Sequence, residues 1–168
     1  ALRLSINMSA RSIGYPRWLQ TLNHGLEIDA SCGERLILEI TESSAMRMPE
    51  LVVTFMSDMQ RRGIAFALDD FGAGYTSFRY FKDFFFDIVK IDGEFIHGIH
   101  ANPDNQVLTS ALASIAGHFD MFTVAESVET AEDARYLIDI GFDCLQGYYY
   151  GVPSTEAPWL SSRLSKLA

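Results

Sequence analysis

The chain has 168 residues, 48% of them hydrophobic and 21% charged, which is typical of a folded globular protein rather than a disordered one. Its formal net charge of −9 argues against a protein that binds DNA or RNA polymers, because such proteins present a basic face to the phosphate backbone. An acidic protein can still bind a small phosphorylated ligand if metal ions supply the positive charge.

Short apolar strands alternate along the chain with segments of helical periodicity. In chain order the predicted strands are "LRLSINMS", "RLILEIT", "IAFALDD", "DIVKID", "FTVAES" and "CLQGYYY". The segment "PELVVTFMSDMQRRG" predicts a helix that begins at Pro49 and stops at Gly63. Two more helices are predicted in "NQVLTSALASIAGHF" and "TAEDARYLIDIG", the second with Thr130 as N-cap and Gly141 after its end.

This alternation indicates parallel βα units in one α/β domain over residues 1–168, with no Pro- or Ser-rich linker to divide it. An open doubly wound sheet and a closed (β/α)8 barrel both fit the alternation. The barrel is favoured because nearly every strand ends in a polar residue, and a barrel gathers its strand ends around one mouth. Six units are visible where a barrel needs eight, so we expect the first two strands to be missing at the amino terminus.

Polar residues follow the strands at their carboxyl ends. In order they are Asn7, Glu39, Asp69 with Asp70, Lys90 with Asp92, Glu126 and Gln146. The carboxylates among them, converging on one mouth with the amides and the lysine, would repel one another without cations. Oxygen ligands without Cys or His favour Mg²⁺, Mn²⁺ or Ca²⁺ over zinc, and the adjacent Asp69 and Asp70 could bridge two such ions about 3.5 to 4 Å apart.

The motifs "NMSA", "LEITES", "DDFGAGYTSF", "VKIDGEFI", "VAESVET" and "LQGYYYGVP" resemble, in order and at suitable spacing, those of the EAL-domain family of cyclic di-GMP phosphodiesterases and receptors. The resemblance implies a modified, TIM-like (β/α)8 barrel that hydrolyses cyclic di-GMP to linear pGpG by two-metal-ion cleavage. It implies Mg²⁺ or Mn²⁺ as cofactor, inhibition by Ca²⁺, a homodimer and a bacterial cytoplasmic location. A sensor or GGDEF domain is expected upstream of Ala1.

The resemblance also implies roles for single residues. Asn7, Glu39 and Asp69 match metal ligands, and Asp70 matches the aspartate that serves the other metal. Lys90 matches the lysine that orients the attacking water. Glu126 matches a ligand of the second metal's water shell or a general base, and Gln146 matches a glutamine beside the reacting phosphate. The residues that match positions around these ligands or in the loop after Asp70 are Glu42, Glu129, Asp92, Gly72 and Gly74.

Glu42 is expected to hold the loop after Asp70, where Gly72 and Gly74 let the backbone approach ligand and metals. Three features depart from the family pattern. The Glu-Ala-Leu segment that names the family is absent, Ser127 replaces a usual glycine, and Ala73 replaces a common threonine. The alternative function is therefore a catalytically inactive receptor that binds cyclic di-GMP and passes a signal onward.

Two further stretches are open to interpretation. The aromatic run "FRYFKDFFFD" predicts either a helix packed in the core or a subunit contact. The two cysteines are too few for a disulfide framework, and the apolar neighbours of Cys144 predict a buried thiol. No apolar run approaches the roughly 18 to 20 residues that span a bilayer, so we expect no direct membrane insertion.

Overall fold

A computed structural model describes residues 2–73 and 83–155 of the chain. Its six strands are all parallel and lie side by side in the order in which they occur along the chain, so the sheet curls into a half-barrel. This confirms the predicted barrel class with six βα units. The strands are β1 (Leu4–Asn7), β2 (Leu36–Thr41), β3 (Ala65–Phe71), β4 (Ile88–Ile91), β5 (Phe122–Ala125) and β6 (Cys144–Leu145).

Helices lie between β1 and β2, between β2 and β3, between β4 and β5, and between β5 and β6. They are α1 (Ala10–Ile13), α2 (Pro16–Ile28), α3 (Glu42–Ala45), α4 (Pro49–Gln60), α5 (Gly93–Ile96), α6 (Pro103–His118) and α7 (Ala131–Asp139), with 3-10 turns at Ala30–Arg35 and Ile99–Ala101. The predicted ends of α4 and α7 agree with the structure. Pro49 opens α4, and the Thr130 hydroxyl caps α7 by accepting a hydrogen bond from the Asp133 N–H.

The strands have one face toward the helices and one toward the concave side of the half-barrel. Leu38 and Ile40 of β2 lie opposite Phe66 and Leu68 of β3, and all four are buried in the helix-packed core. Phe55 of α4 packs edge-on against Phe66, with ring centroids 5.8 Å apart. Because side chains alternate along a strand, the residues between these core positions face the concave side.

The end of the sheet differs from the sequence prediction. β6 spans only two residues, and the chain turns immediately afterward rather than continuing as a strand through "QGYYY". Cys144 on this strand is exposed, so the prediction of a buried thiol was wrong. Apolar neighbours in sequence did not bury it because β6 is paired only with β5 within residues 2–73 and 83–155.

Part of the aromatic run lies outside the described residues, as does Gly74. In the described part, Phe84 and Phe86 are buried and stack with ring centroids 5.5 Å apart, whereas Phe85 is exposed. Among the described residues, no helix has both the length and the apolar character required to cross a bilayer.

Candidate active site

Two adjacent aspartates share one side of the sheet because β3 contains an irregularity. Leu68 pairs with Val89 and Phe71 with Ile91, so two residues of β3 stand against one residue of β4. Asp70 has a φ of +54°, a left-handed conformation that Asp tolerates better than most residues. In a regular strand Asp69 and Asp70 would face opposite sides. The bulge cancels that alternation and brings both carboxylates to the concave side.

Lys90 lies at the centre of the site and ion-pairs with three carboxylates. Its Nζ is 3.0 Å from Glu39 Oε2, 2.7 Å from Asp69 Oδ1 and 2.6 Å from Glu126 Oε1. An ammonium group has three hydrogens to donate, so these contacts use its full donor capacity. The side chain of Lys90 is only 8% exposed, and the three carboxylates are also largely buried. These charges come from four strands or strand ends of the sheet.

The pKa values of Lys90, Glu126 and Asp70 are all raised. Burial acts to lower the pKa of Lys90, but its hydrogen bonds to the carboxylates outweigh burial and raise that pKa above its ordinary value. Lys90 is therefore charged throughout the neutral range. Burial raises the pKa of Glu126, and Lys90 only partly offsets it. Desolvation also raises the pKa of Asp70, with further contributions from the charges of Asp69 and Asp92.

The carboxylate cluster fits a divalent cation. Asp69, Asp70 and Glu126 each present an oxygen such that the three atoms lie within 4.8 Å of one another. With Glu39, four carboxylates face one ammonium group, so four negative charges and one positive leave a formal charge of −3. Asp70 is exposed, but the other three carboxylates are largely buried, and buried charge of one sign is costly unless a counter-charge is present. Carboxylate oxygens without thiol or imidazole are ligands suited to Mg²⁺, Mn²⁺ or Ca²⁺.

Gly72, the first residue after β3, is hydrogen-bonded to Glu42 and lies against Phe95. Glu42 Oε2, at the start of α3, accepts a hydrogen bond from the Gly72 N–H at 3.3 Å. Gly72 has a φ of +100°, and a Cβ there would lie 2.7 Å from a ring carbon of Phe95. Gly72 thus needs both its backbone freedom and its lack of a side chain, since Phe95 fills the space beside it.

The remaining predicted residues lie around this cluster without joining its ion pairs. Asn7 pairs in register with Glu39 on the neighbouring strand, and it is exposed. Gln146 donates its backbone N–H to Ala125 O at 2.8 Å, which places it one strand beyond Glu126, and its side chain is exposed.

Two acidic residues outside the cluster have other partners. Asp92 caps α5 by accepting the Glu94 N–H at 2.7 Å. Glu129 Oε2 lies 3.4 Å from His97 Nδ1, and both side chains are about half exposed. The structure therefore brings Glu39, Asp69, Asp70, Lys90 and Glu126 together, whereas Glu129 points to a different partner.

The turn after Glu126 contains the residue that departs from the family pattern. Ser127 has a φ of +53°, in the left-handed region where glycine is usual. Its Oγ would lie 2.4 Å from a Cβ on Gly93, so the missing side chain of Gly93 makes room for it. Gly93, in the loop after the neighbouring strand, thus provides the space that the Ser127 side chain needs.

Sequence reasoning missed a hydrogen-bond network around the buried Asp133, which joins the start of α7 to the 3-10 turn at Ile99–Ala101. Asp133 Oδ1 accepts the His100 N–H at 3.0 Å and lies 2.8 Å from His100 Nδ1, and its Oδ2 accepts the Thr130 hydroxyl hydrogen at 2.7 Å. Burial acts to raise the pKa of Asp133, but these hydrogen bonds hold it below its usual value. The Thr-x-x-Asp spacing at the start of α7 was the available signal for half of this network. Nothing local indicated His100.

Comparison with known proteins identifies the family to which the chain belongs. The EAL domain family matches residues 1–153. The chain is 30% identical over 159 residues to the bifunctional diguanylate cyclase/cyclic di-GMP phosphodiesterase MucR of Pseudomonas aeruginosa, covering 95% of this chain and 23% of MucR. It spans between a fifth and a third of the length of the curated relatives that it matches.

Solved structures share the same fold. The EAL domain of Mycobacterium smegmatis DcpA superimposes with a TM-score of 0.85 at 28% identity, covering 98% of this chain and 73% of that chain. The Klebsiella pneumoniae protein BlrP1, solved as a manganese/cyclic di-GMP complex, superimposes with a TM-score of 0.79 at 26% identity. That match covers 88% of this chain and 38% of BlrP1.

Proposed function

Because the chain belongs to the EAL domain family, we propose that it is the catalytic part of a metal-dependent phosphodiesterase that hydrolyses cyclic di-GMP to linear pGpG. The observation that carries this proposal is the cluster formed by Asp69, Asp70 and Glu126, whose oxygens lie within 4.8 Å of one another beside the ammonium of Lys90. A receptor that only binds the dinucleotide has no physical need for this concentration of carboxylates. The names of related proteins support the substrate.

We propose Mg²⁺ or Mn²⁺ as cofactor, held by Asn7, Glu39, Asp69, Asp70 and Glu126. Bound divalent cations would supply Lewis-acid stabilisation of the phosphate oxygens and a water that deprotonates near neutral pH. The manganese complex of BlrP1 supports this assignment. The mixed carboxylate and amide donors suit these hard cations.

The chain's own residues have complementary tasks in the proposed reaction. Lys90, protonated at neutral pH, keeps its hydrogen bonds to the three carboxylates and offsets by its charge the negative charge that develops on the phosphate oxygens. Glu126, whose pKa is raised, accepts the proton of the attacking water, since a general base works best with a pKa nearer the operating pH. Gln146 orients the phosphate from the next strand. Glu42 and Gly72 keep the loop after β3 in place.

The test uses the natural full-length polypeptide that contains these residues. It would be incubated with cyclic di-GMP and Mg²⁺ or Mn²⁺, with a chelator control, and the products would be separated by chromatography. We expect metal-dependent formation of pGpG and its loss by at least a hundredfold in the Asp69→Asn variant. The matched control is Asp139→Asn, the same change on an exposed aspartate of α7.

Turnover of the Asp69→Asn variant within tenfold of wild type would contradict the metal assignment. Saturable binding of cyclic di-GMP without any turnover would instead establish the receptor function. Neither binding nor turnover would overturn the cyclic di-GMP proposal altogether.

We further propose an upstream domain, a location and an oligomeric state for the whole protein. A cyclase or sensor domain upstream is supported by the bifunctional name of MucR. We propose that the chain acts in the bacterial cytoplasm, where a nucleotide second messenger would be made and degraded, and that it forms a homodimer.

A further inference from the structure

The turn at residues 126–128, which follows β5, lies between two glycines of neighbouring loops. On one side is Gly93, at the start of α5, and on the other is Gly147, in the turn after β6. A Cβ on Gly93 would lie 2.7 Å from Ser127 Cβ, and a Cβ on Gly147 would lie 2.2 Å from the backbone of Val128. Both loops therefore approach the turn more closely than a residue with a side chain would allow.

Backbone hydrogen bonds hold the turn between these two loops. The Glu126 N–H donates to Ile91 O of β4 at 3.3 Å. The Val128 N–H donates to Gln146 O, just after β6, at 3.0 Å. The backbone on the two sides of Ser127 is thus attached to different neighbours. The turn cannot move away from one glycine without approaching the other or losing one of these bonds.

Ser127, in the middle of the turn, has a backbone conformation that a side chain disfavours. Its φ of +53° lies in the left-handed region, where a Cβ crowds the following carbonyl. A residue with a side chain stays in such a region only when its surroundings fix the conformation. The contact with Gly93 is a firm constraint of this kind, because rotation about χ1 moves Ser127 Oγ but leaves Ser127 Cβ in place.

The residue before Ser127 carries a carboxylate of the proposed metal site. Glu126 Oε1 lies 2.6 Å from Lys90 Nζ, and its ligand oxygen is within 4.8 Å of those of the two aspartates. Because carbon atoms make their best contacts at about 3.5–4 Å, a side chain on Gly93 would displace Ser127 Cβ by most of an ångström. A misplacement of about 1 Å near a reacting group can cost roughly a hundredfold in rate.

We propose that Ser127 is a positioning residue, which directs the Glu126 carboxylate toward the metal site by packing its side chain against Gly93. The inference rests on the proposed function, because that reaction gives Glu126 its task. Ser127 acts through Glu126, and the atom that matters is its Cβ. Positions 93 and 127 should therefore be coupled, since a side chain fits at either position but not at both.

The experiment measures steady-state hydrolysis of cyclic di-GMP by the natural full-length polypeptide, and its dissociation constant for Mn²⁺ by calorimetry. Gly93→Ala should lower kcat at least tenfold with KM within about threefold, and raise the Mn²⁺ dissociation constant at least fivefold. Ser127→Gly should lower kcat about fivefold and raise that constant about threefold, because glycine gives the turn a wider range of conformations. Ser127→Ala, which keeps Cβ, should match wild type.

The double variant Gly93→Ala/Ser127→Gly tests the coupling directly. Both atoms that a Cβ on Gly93 would crowd belong to the Ser127 side chain, so without that side chain the clash disappears. Its kcat and Mn²⁺ affinity should therefore return to those of Ser127→Gly alone. Gly117→Ala, which adds a Cβ in open space among the described residues, is the matched control and should keep wild-type kcat. Urea unfolding of each variant separates misplacement of Glu126 from loss of the fold.

A Gly93→Ala variant with wild-type kcat and Mn²⁺ affinity, or one that Ser127→Gly does not rescue, would overturn the positioning role. If Gly93→Ala does not fold, wild-type kcat and Mn²⁺ affinity in Ser127→Gly would overturn it. Wild-type protein that binds Mn²⁺ without turnover would contradict the phosphodiesterase, and the Mn²⁺ affinities of the variants would still test Ser127. Wild-type protein that neither binds Mn²⁺ nor turns over would overturn both proposals.

Discussion

Replacing Lys90 with methionine should destabilise the protein strongly, and added metal should reverse much of the loss. The lysine ammonium is within 3.0 Å of Glu39, Asp69 and Glu126. Methionine has a similar volume and fills the same space without a charge. The three carboxylates would then face one another with no counter-charge in a largely buried site.

The expected magnitude follows from the burial of this group. Removing one partner of a buried ion pair costs about 3–5 kcal/mol, because the remaining charge stays buried and uncompensated. A ligand present at a hundred times its dissociation constant stabilises by about 2.7 kcal/mol. Saturating Mn²⁺ should therefore recover at least about half of the loss in Lys90→Met. It should stabilise the variant more than wild type, in which the ammonium already neutralises part of the charge.

Lowering the pH should also reduce the difference in the free energy of unfolding between Lys90→Met and wild type. The pKa of Glu126 is already raised in the folded protein, and it should rise further without Lys90. A raised carboxylate pKa makes the charged form a cost to folding above that pKa, and protonation removes the cost as the pH falls. The deficit of Lys90→Met should therefore be largest at neutral pH and shrink below the raised pKa of Glu126.

The assay is urea unfolding followed by tryptophan fluorescence, with chelator or Mn²⁺, at neutral and acidic pH. The matched control is Arg61→Met, which removes an exposed cation 3.0 Å from Asp58 and should cost less than about 1 kcal/mol. A loss in Lys90→Met as small as that of the control would refute the reasoning. A large loss that neither metal nor acid reduces would show that lost packing, rather than repulsion, is responsible.

Three further predictions concern residues that make no ion pair with Lys90. Glu42→Ala removes the acceptor for the loop after β3, so kcat for cyclic di-GMP should fall about tenfold while the circular dichroism spectrum is retained. Asp133→Asn should lower the free energy of unfolding by about 1.5–3 kcal/mol at pH 7. Its effect should fade as acid protonates wild-type Asp133 below the ordinary carboxyl pKa, because stability from a lowered pKa is lost there. Gly147→Ala would place a Cβ 2.2 Å from the backbone of Val128, whereas Gly151 has the same φ of +159° and open space around it. Both variants carry the backbone strain of that φ, so Gly147→Ala should cost about 2 kcal/mol more than Gly151→Ala because of the clash alone.

Each of these has a clear contrary result. Unchanged kinetics in Glu42→Ala would mean that the loop is held by its packing on Phe95 alone. A stability loss in Asp133→Asn that persists at pH 2 would assign it to altered packing rather than charge. Equal stability of the Gly147→Ala and Gly151→Ala variants in urea unfolding would show that the backbone of Val128 can move aside.

The order of the strands and the chemistry at their ends were predictable from the sequence, since both depend on short-range patterns. Apolar runs ending in Glu39, Asp69 and Glu126 identify strands with carboxylates at one edge, whatever the details of packing. The family resemblance then named the metal chemistry. What the sequence could not show was that Lys90 contacts all three carboxylates, because Glu39 and Lys90 are 51 residues apart along the chain.

Other features depend on pairing between strands and so leave no local signal. The bulge at Asp70 is defined by the register of β3 against β4, and the aspartate pair alone does not reveal it. The cavity between the loops that follow β1 and β2, lined by Arg11 and Arg47, arises only when these two loops come together. Cys144 is exposed because of where its strand lies in the sheet, not because of its neighbours in sequence.

The bulge in β3 also determines what a one-codon deletion in the gene would do to the site. Deleting the single codon for Asp70 would restore a regular register between β3 and β4, because Asp69 would then stand alone against Lys90. The hydrogen-bonded ladder would survive and one carboxylate would be lost. A three-base deletion could thus turn a site with two aspartates into one with a single aspartate in one step, and leave a chain that still folds. At this residue, a mutation can therefore change the set of carboxylates in the site without changing the fold.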